Sequence, residues 1–165
     1  MHYYWELTGE GFCFQVRKMK SRVLLVDGHS AIFQSKELRS LHTHRSLSAR
    51  HQLIHLLTRY ADSTGTHVVL VFDGQQTHVS EEHIPDGIQI FYSKKNQTAD
   101  AIIERLVAKY ATCHDIRVAT DDYLERQTVE SFGGSWLSIF QLFSELDAAD
   151  KDLERRLNEL RRFQK

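Results

Sequence analysis

Aspartates end three short apolar segments, and they are the residues best placed to do chemistry. VLLVD ends at Asp27, VLVFD ends at Asp73, and RVATDD ends in the pair Asp121 and Asp122. Asp100 follows a further apolar segment and falls in the first turn of a predicted helix. If these segments are strands of one parallel sheet, their carboxyl ends share an edge, where such sheets bind ligands. The sequence therefore predicts a cluster of carboxylates at one edge.

A cluster of carboxylates is unfavourable by itself because like charges repel. A hard divalent cation neutralises such a cluster, and Mg²⁺ or Mn²⁺ is the cofactor we expect. Such an ion polarises phosphoryl oxygens, activates water and orients an in-line attack, which suits hydrolysis of a phosphodiester. Any one of these aspartates, taken alone, has a structural alternative, because aspartate is also a common helix cap.

Other α/β chemistries lack their motifs in this chain. There is no G-x-x-x-x-G-K-[ST] phosphate loop, no G-x-G-x-x-G after the first strand and no G-x-S-x-G nucleophile elbow. His51 and His55 are four residues apart without a glutamate between them, which excludes the zinc-protease motif. Two cysteines, Cys13 and Cys113, are too few for a disulfide framework, and with no secretory signal or membrane span they favour the cytoplasm.

The elements that would position the aspartates alternate along the chain. Four β-rich apolar runs predict buried strands, at residues 22–27, 67–73, 88–93 and 115–120. Helical periodicity follows at residues 46–60, after Thr98, after Thr120 and after Ser138, the last folded back on the domain rather than in a coiled coil. This alternation predicts an α/β domain with a mostly parallel sheet.

Several local signals mark where the helices begin and end. Ser46 and Thr120 are expected to cap their helices, and Ser138 with Gln141 forms a capping-box pattern. Gly65 is expected to stop the helix before the second strand. The polar stretch 75–87 holds the single proline and is predicted as a loop.

Four segments together carry a resemblance to a known family. In chain order they are LLVDGHSAIF, VVLVFDG, IFYSKKNQTADAIIERL and VATDDYLERQTVESFGG. This ordered set resembles the YacP-like NYN domain ribonucleases, relatives of the PIN nucleases, from about Arg22 to Leu146. The resemblance implies a PIN-like three-layer α/β/α sandwich and a metal-dependent endoribonuclease. It also implies RNA as the partner, with ribosome-associated mRNA as one candidate.

The resemblance assigns roles by position to the polar residues of these segments. It implies that the catalytic residues are Asp27, Asp73, Asp100 and Asp122, and that the same four together with Asp121 hold the metal. The family often has Tyr-Asn after the first Asp-Gly, where this chain has His29-Ser30. Ser30 and Thr120 are expected to support the site, Ser30 by donating a hydrogen bond to a ligand carboxylate or a water.

The resemblance also divides the chain. Residues 19–146 would form the NYN/PIN-like nuclease domain, preceded by an N-terminal extension at residues 1–18 and followed by a charged helical tail at residues 147–165. The N-terminal extension is either an over-long reading frame or an added strand.

Basic residues near the proposed edge would offset its negative charge for a polyanionic substrate. The chain has a formal net charge of −1, which excludes a strongly basic surface but not opposite patches. We expect RNA contacts from Lys94, Lys95, Arg39, Arg45 and Arg50. Two alternatives stay open: a catalytically silent module that binds RNA or the ribosome, and a PIN-like nuclease that acts on DNA.

Overall fold

The computed structural model describes residues 20–76, 80–83 and 88–163. The predicted N-terminal extension at 1–18 lies outside the described residues. The strands are β1 (Arg22–Asp27), β2 (His67–Gln76), β3 (Ser80–His83), β4 (Gln89–Lys94), β5 (Asp115–Ala119) and β6 (Ser135–Leu137). The helices are α1 (Gly28–Gln34), α2 (Lys36–His44), α3 (Ser46–Thr64), α4 (Ala99–Tyr110), α5 (Tyr123–Ser131) and α6 (Ile139–Phe163).

The strands form one sheet in the order β3-β4-β2-β1-β5-β6. Every neighbouring pair is parallel except β3 with β4, which is antiparallel. β1 lies in the middle, between β2 and β5, so Asp27 at its carboxyl end is central to the sheet edge. The α/β class and the mostly parallel sheet predicted from the sequence are confirmed.

Two hydrophobic cores lie on the two faces of the sheet, because successive side chains of a strand point to opposite faces. Leu24 and Val26 of β1 pack with side chains of α1, α2, α3 and α6. Leu25, between them in sequence, packs instead with side chains of α4 and α5. The result is the three-layer α/β/α sandwich that the resemblance implied.

Three of the predicted helix ends are confirmed by their hydrogen bonds. The hydroxyl of Thr98 accepts from the backbone N–H of Ala101 at 3.3 Å and caps α4. Ser138 and Gln141 satisfy each other's backbone N–H groups at 2.9 and 3.1 Å, which is a capping box. Gly65 ends α3 at a φ of 65°, in the left-handed region that favours glycine.

The prediction for Ser46 is wrong, because Arg45 is the residue before α3 and no side chain caps that end.

Four elements were not predicted, and each carries a weak local signal. α1 and α2 follow β1 at once, where short mixed sequence hides their periodicity. β6 is only three residues long. β3 has the polar sequence SEEH and lies in the stretch predicted as a loop, so that prediction is wrong over β3 and over the end of β2. An edge strand paired on one side needs no apolar run.

The predicted boundary after residue 146 lies within α6, which continues without a break to Phe163. Leu142 and Leu146 of α6 are buried against the core, and Asp150 pairs with Arg59 of α3 at 3.1 Å. α6 therefore folds back on the domain, as predicted. Within the described residues, no helix is both long and apolar enough to cross a membrane.

Candidate active site

Asp27 lies where β1 ends and α1 begins, and two hydrogen bonds fix its carboxylate. The backbone N–H of His29 donates to Oδ1 at 2.9 Å, which caps α1. The hydroxyl of Ser30 donates to Oδ2 at 2.6 Å, as the sequence predicted. Asp27 is only 7% exposed. A buried carboxylate held by both oxygens is a rigid centre for the site.

Asp73 connects the second strand to the helix that carries Asp100. Its Oδ1 accepts from the backbone N–H of Ala99 at 2.8 Å, at the first residue of α4. The pairing of β2 with β4 changes register between Phe72 and Gln76, so Asp73 lies where the regular ladder ends. One carboxylate thus anchors the start of α4 to the carboxyl edge of the sheet.

Asp100 lies in the first turn of α4, and its pKa depends on the acidic residues near it. Burial raises the pKa of its carboxyl, and the negative charges of Asp27, Asp122 and Asp73 raise it further, with Glu104 contributing last. Apart from Glu104, the charges that raise the pKa of Asp100 are therefore those of the three other aspartates assigned as catalytic. The structure brings all four of them together at one edge.

Asp122, not Thr120, caps α5, so that part of the prediction is wrong. Its Oδ1 accepts from the backbone N–H groups of Leu124 at 2.7 Å and Glu125 at 3.2 Å. The Thr120 hydroxyl instead accepts from the backbone N–H of Asp122 at 3.0 Å. Thr120 thus fixes the turn that leads to Asp122.

Glu125 is a fifth acidic residue of the edge, and the sequence pattern did not single it out. It is 4% exposed, and its Oε1 has no hydrogen-bond partner within the described residues. Burial is the main cause that raises its pKa to about 7, the Thr120 hydroxyl partly offsets this, and Asp100, Asp27 and Asp122 add to the rise. The available signal was the spacing Asp122-x-x-Glu125, which is that of a capping box.

Asp121 does not join this cluster. Its Oδ1 pairs with the guanidinium of Arg126 at 3.2 Å and accepts from the backbone N–H of Ile139 at 3.3 Å. The same guanidinium lies over the ring of Trp136, 4.1 Å from its centroid. Asp121 is thus occupied in joining α5 to the start of α6, whereas the adjacent Asp122 faces the other carboxylates.

The donor chemistry of the edge suits a hard divalent cation, because all its charged groups are carboxylates. Asp27, Asp73 and Asp122 each accept a hydrogen bond from a backbone N–H. The buried Oε1 of Glu125 has no hydrogen-bond partner among the described residues. Among those residues, no three His, Cys, Asp or Glu side chains have the spacing of a formed metal site. The residues present thus fit such a cation by type.

The five predicted RNA contacts differ in how close they come to the edge. Within the described part of the chain, none of Lys94, Lys95, Arg39, Arg45 and Arg50 forms an ion pair. Lys94 ends β4, and Lys95 follows it in the turn before α4; both are exposed.

Arg39 and Arg45 are exposed at α2, whereas Arg50 has a fixed position. The Arg50 guanidinium lies over the ring of Phe72, 4.9 Å from its centroid. Phe72 precedes Asp73 and packs so closely on Gly28 that a Cβ there would overlap its ring. Arg50 is thereby held near Gly28 and Phe72, which adjoin Asp27 and Asp73 in the sequence.

Comparisons with known proteins agree with this fold. Residues 24–165 match the family model described as YacP-like NYN domain. The chain is 30% identical over 140 residues to the uncharacterized protein YacP of Bacillus subtilis (strain 168), which covers 84% of this chain and 82% of that protein.

Two crystal structures of Rae1 (YacP) from Bacillus subtilis are similar as well, each at 30% identity and over 84% of this chain. One of them is of a mutant with leucine in place of a tryptophan, and it superposes with a TM-score of 0.73 over 83% of its chain. The other structure gives 0.70 over 80%.

Proposed function

This chain belongs to the YacP-like NYN domain family, a nuclease-type family, and on that premise we propose that it is a metal-dependent endoribonuclease. It would hydrolyse phosphodiester bonds within RNA, with Mg²⁺ or Mn²⁺ as cofactor, in the cytoplasm. Ribosome-associated mRNA is one candidate substrate. The observation that carries the proposal is the placement of four aspartates at the carboxyl edge of the sheet. Asp27, Asp73 and Asp122 are fixed there by backbone N–H groups of helix starts, and their charges raise the pKa of Asp100.

The acidic residues have distinct parts in this proposal. Asp27, Asp73, Asp100, Asp122 and Glu125 would hold the cation. When bound, it would polarise the phosphodiester and lower the pKa of the attacking water. Asp27 is kept in place by Ser30, and Asp122 by the turn that Thr120 fixes. Asp27, Asp73 and Asp122 each accept a hydrogen bond from a backbone N–H at a helix start. The fold therefore preorganises the edge.

The substrate's negative charge requires cations around the acidic centre. Arg50 supports the proposal most directly, since its guanidinium is held beside Phe72 and has no carboxylate partner among the described residues. Lys94 and Lys95 lie just before α4, whose first turn carries Asp100. These side chains would contact phosphates on either side of the scissile bond.

Cleavage of end-labelled RNA by the wild type and by Asp27→Asn tests the proposal. We expect cleavage with Mg²⁺ or Mn²⁺, none with EDTA, and a loss of at least about 10²-fold in the variant, because a preorganised charge at the reaction centre is removed. Asp62→Asn, an exposed aspartate of α3, is the matched control and should keep full activity. Circular dichroism melts would check that both variants fold.

The same experiment separates the alternatives. RNA cleavage that survives EDTA, or full activity of Asp27→Asn, would exclude the metal mechanism. Binding of RNA without turnover in either metal would indicate a silent module that binds RNA or the ribosome. Equal cleavage of a DNA strand of the same sequence would indicate a nuclease that does not distinguish the sugar.

A further inference from the structure

Three rings form a ladder on the surface of α1 and α2. The ring centroids of His29 and Phe33 are 4.4 Å apart, and those of Phe33 and His42 are 5.0 Å apart. The planes are tilted by 35° and 58°, so neither contact covers a whole ring face. We call His29, Phe33 and His42 the ring ladder.

The ring ladder lies outside the two hydrophobic clusters; His29 and Phe33 are exposed and His42 is half-buried. Phe33 is 39% exposed, and His29 is exposed as well. Ala31 and Ile32 of the same helix are buried in the core on the α1 face of the sheet, but Phe33 belongs to neither hydrophobic cluster. Part of the Phe33 ring is therefore open to solvent and available to a ligand.

The ring ladder begins at the candidate active site. His29 is two residues after Asp27, and its backbone N–H donates to the Asp27 carboxylate at 2.9 Å. From there the rings run along α1 to α2. A chain whose phosphate lies at Asp27 would have its neighbouring nucleotides within reach of these rings.

The charges around the ring ladder match a polyanion. Arg39 lies three residues before His42 on α2, so the two side chains share one helix face. Arg45 ends the same helix. Both arginines are exposed and make no ion pair within the described residues. Rings with adjacent unpaired cations are the combination that binds single-stranded nucleic acid.

We propose that the ring ladder is a stacking surface for unpaired bases of the substrate, so that the enzyme acts on single-stranded segments. This inference rests on the proposed nuclease function. Bases in a duplex have their faces covered by their neighbours, whereas unpaired bases can stack on protein rings. Every base has such a face, so the surface would select strandedness rather than sequence.

Equilibrium binding of the full chain to a single-stranded RNA that carries 2-aminopurine tests the proposal, with EDTA present to prevent turnover. We expect quenching of the 2-aminopurine fluorescence by the wild type. Phe33→Leu keeps an apolar side chain without a ring, and it should lose the quenching and bind roughly tenfold more weakly, the scale of one base stack. Phe33→Trp keeps a ring and should retain both.

Phe132→Leu is the matched control, because Phe132 is similarly exposed, at 46%, but lies beyond the far end of α5. It should bind as the wild type does. A fully paired RNA of the same sequence should bind the wild type and Phe33→Leu equally well.

Three results would overturn the stacking proposal. They are unchanged quenching and affinity in Phe33→Leu, equal losses in Phe33→Leu and Phe132→Leu, and failure of the wild type to bind single-stranded RNA. These outcomes are distinct from failure of the nuclease proposal, which is read from cleavage in the presence of metal. A protein that cleaves RNA normally but shows no effect at Phe33 keeps its nuclease function and loses only the stacking surface.

Discussion

Three aspartates of the edge are at once bound to helix starts and members of the charge cluster. Asp27 and Asp122 cap α1 and α5, and Asp73 accepts from the first N–H of α4. The partial positive charge of a helix start stabilises a carboxylate, so each helix offsets part of the repulsion at the edge. The structural and the functional interpretation of these aspartates are therefore compatible, because capping lowers the free-energy cost of bringing the carboxylates together.

Glu125→Gln should change how the stability of the protein depends on pH. The pKa of this carboxyl is about 7 in the folded protein against an ordinary 4.5. The folded state therefore binds more protons than the unfolded state between these values, and the free energy of unfolding falls as the pH rises through that window. Replacing the carboxyl by an amide should remove this loss, which is on the order of 2–3 kcal/mol.

Urea unfolding in EDTA at pH 5 and pH 8 measures the effect of Glu125→Gln. The variant should be more stable than the wild type at pH 8, and the gap should shrink at pH 5. With Mg²⁺ or Mn²⁺ added, the variant should lose cleavage, because a candidate ligand is gone. Equal pH dependence in the two proteins would contradict the raised pKa. Glu159→Gln, at an exposed glutamate of α6, is the control.

Among the secondary-structure elements, β5 is joined to α3 and α6 by a cluster of hydrogen bonds. Glu145 of α6 accepts two hydrogen bonds from Arg117 of β5, at 2.7 and 3.0 Å. The hydroxyl of Tyr60 on α3 donates to the same carboxylate at 3.2 Å. This cluster ties a strand to two helices that pack on one face of the sheet, away from the acidic edge.

Glu145→Gln should lower the free energy of unfolding without changing the rate of RNA cleavage. The Arg117 guanidinium, through its hydrogen bonds, holds the pKa of Glu145 below its ordinary value. The stability it contributes is therefore present above the ordinary pKa of a glutamate and is lost as the pH falls through the lowered value. Both side chains are about a third exposed, so we expect a loss of only about 1 kcal/mol at pH 7.

Thermal or urea unfolding at pH 7 and pH 3 measures this loss, and an RNA cleavage assay should show no change. Glu154→Gln, an exposed position on the same helix, should leave stability unaltered. A loss for Glu145→Gln that persists undiminished at pH 3 would contradict an ionic origin.

For the molecule as a whole, the near-neutral net charge conceals a segregation of charges. The carboxylates meet at the carboxyl edge of the sheet. Arg50, Lys94 and Lys95, which form no ion pair within the described residues, lie on elements next to that edge. An anionic substrate would thus be held by the surroundings of the acidic centre rather than by the centre itself.

Arg50→Ala tests whether a cation beside the acidic centre holds the substrate. Loss of one phosphate contact should weaken binding of single-stranded RNA irrespective of sequence. It should also reduce the slope of log affinity against log salt by about 0.7, the contribution of one contact. Titrations at several KCl concentrations measure the slope. Arg105→Ala, exposed on α4, should change neither quantity, and an unchanged slope for Arg50→Ala would remove Arg50 from the interface.

The sequence by itself determined the strands around Asp27, Asp73 and Asp122 and the helix that carries Asp100. Apolar runs, caps and the strand-then-aspartate pattern are local, and parallel pairing then places strand ends together. Only the tertiary structure decided that Asp122 faces the cluster while Asp121 turns to Arg126, that Glu125 is buried beside the aspartates, and that His29, Phe33 and His42 form a ladder. These outcomes depend on the rotation of each helix about its axis and on which neighbours cover it, and packing between elements sets both.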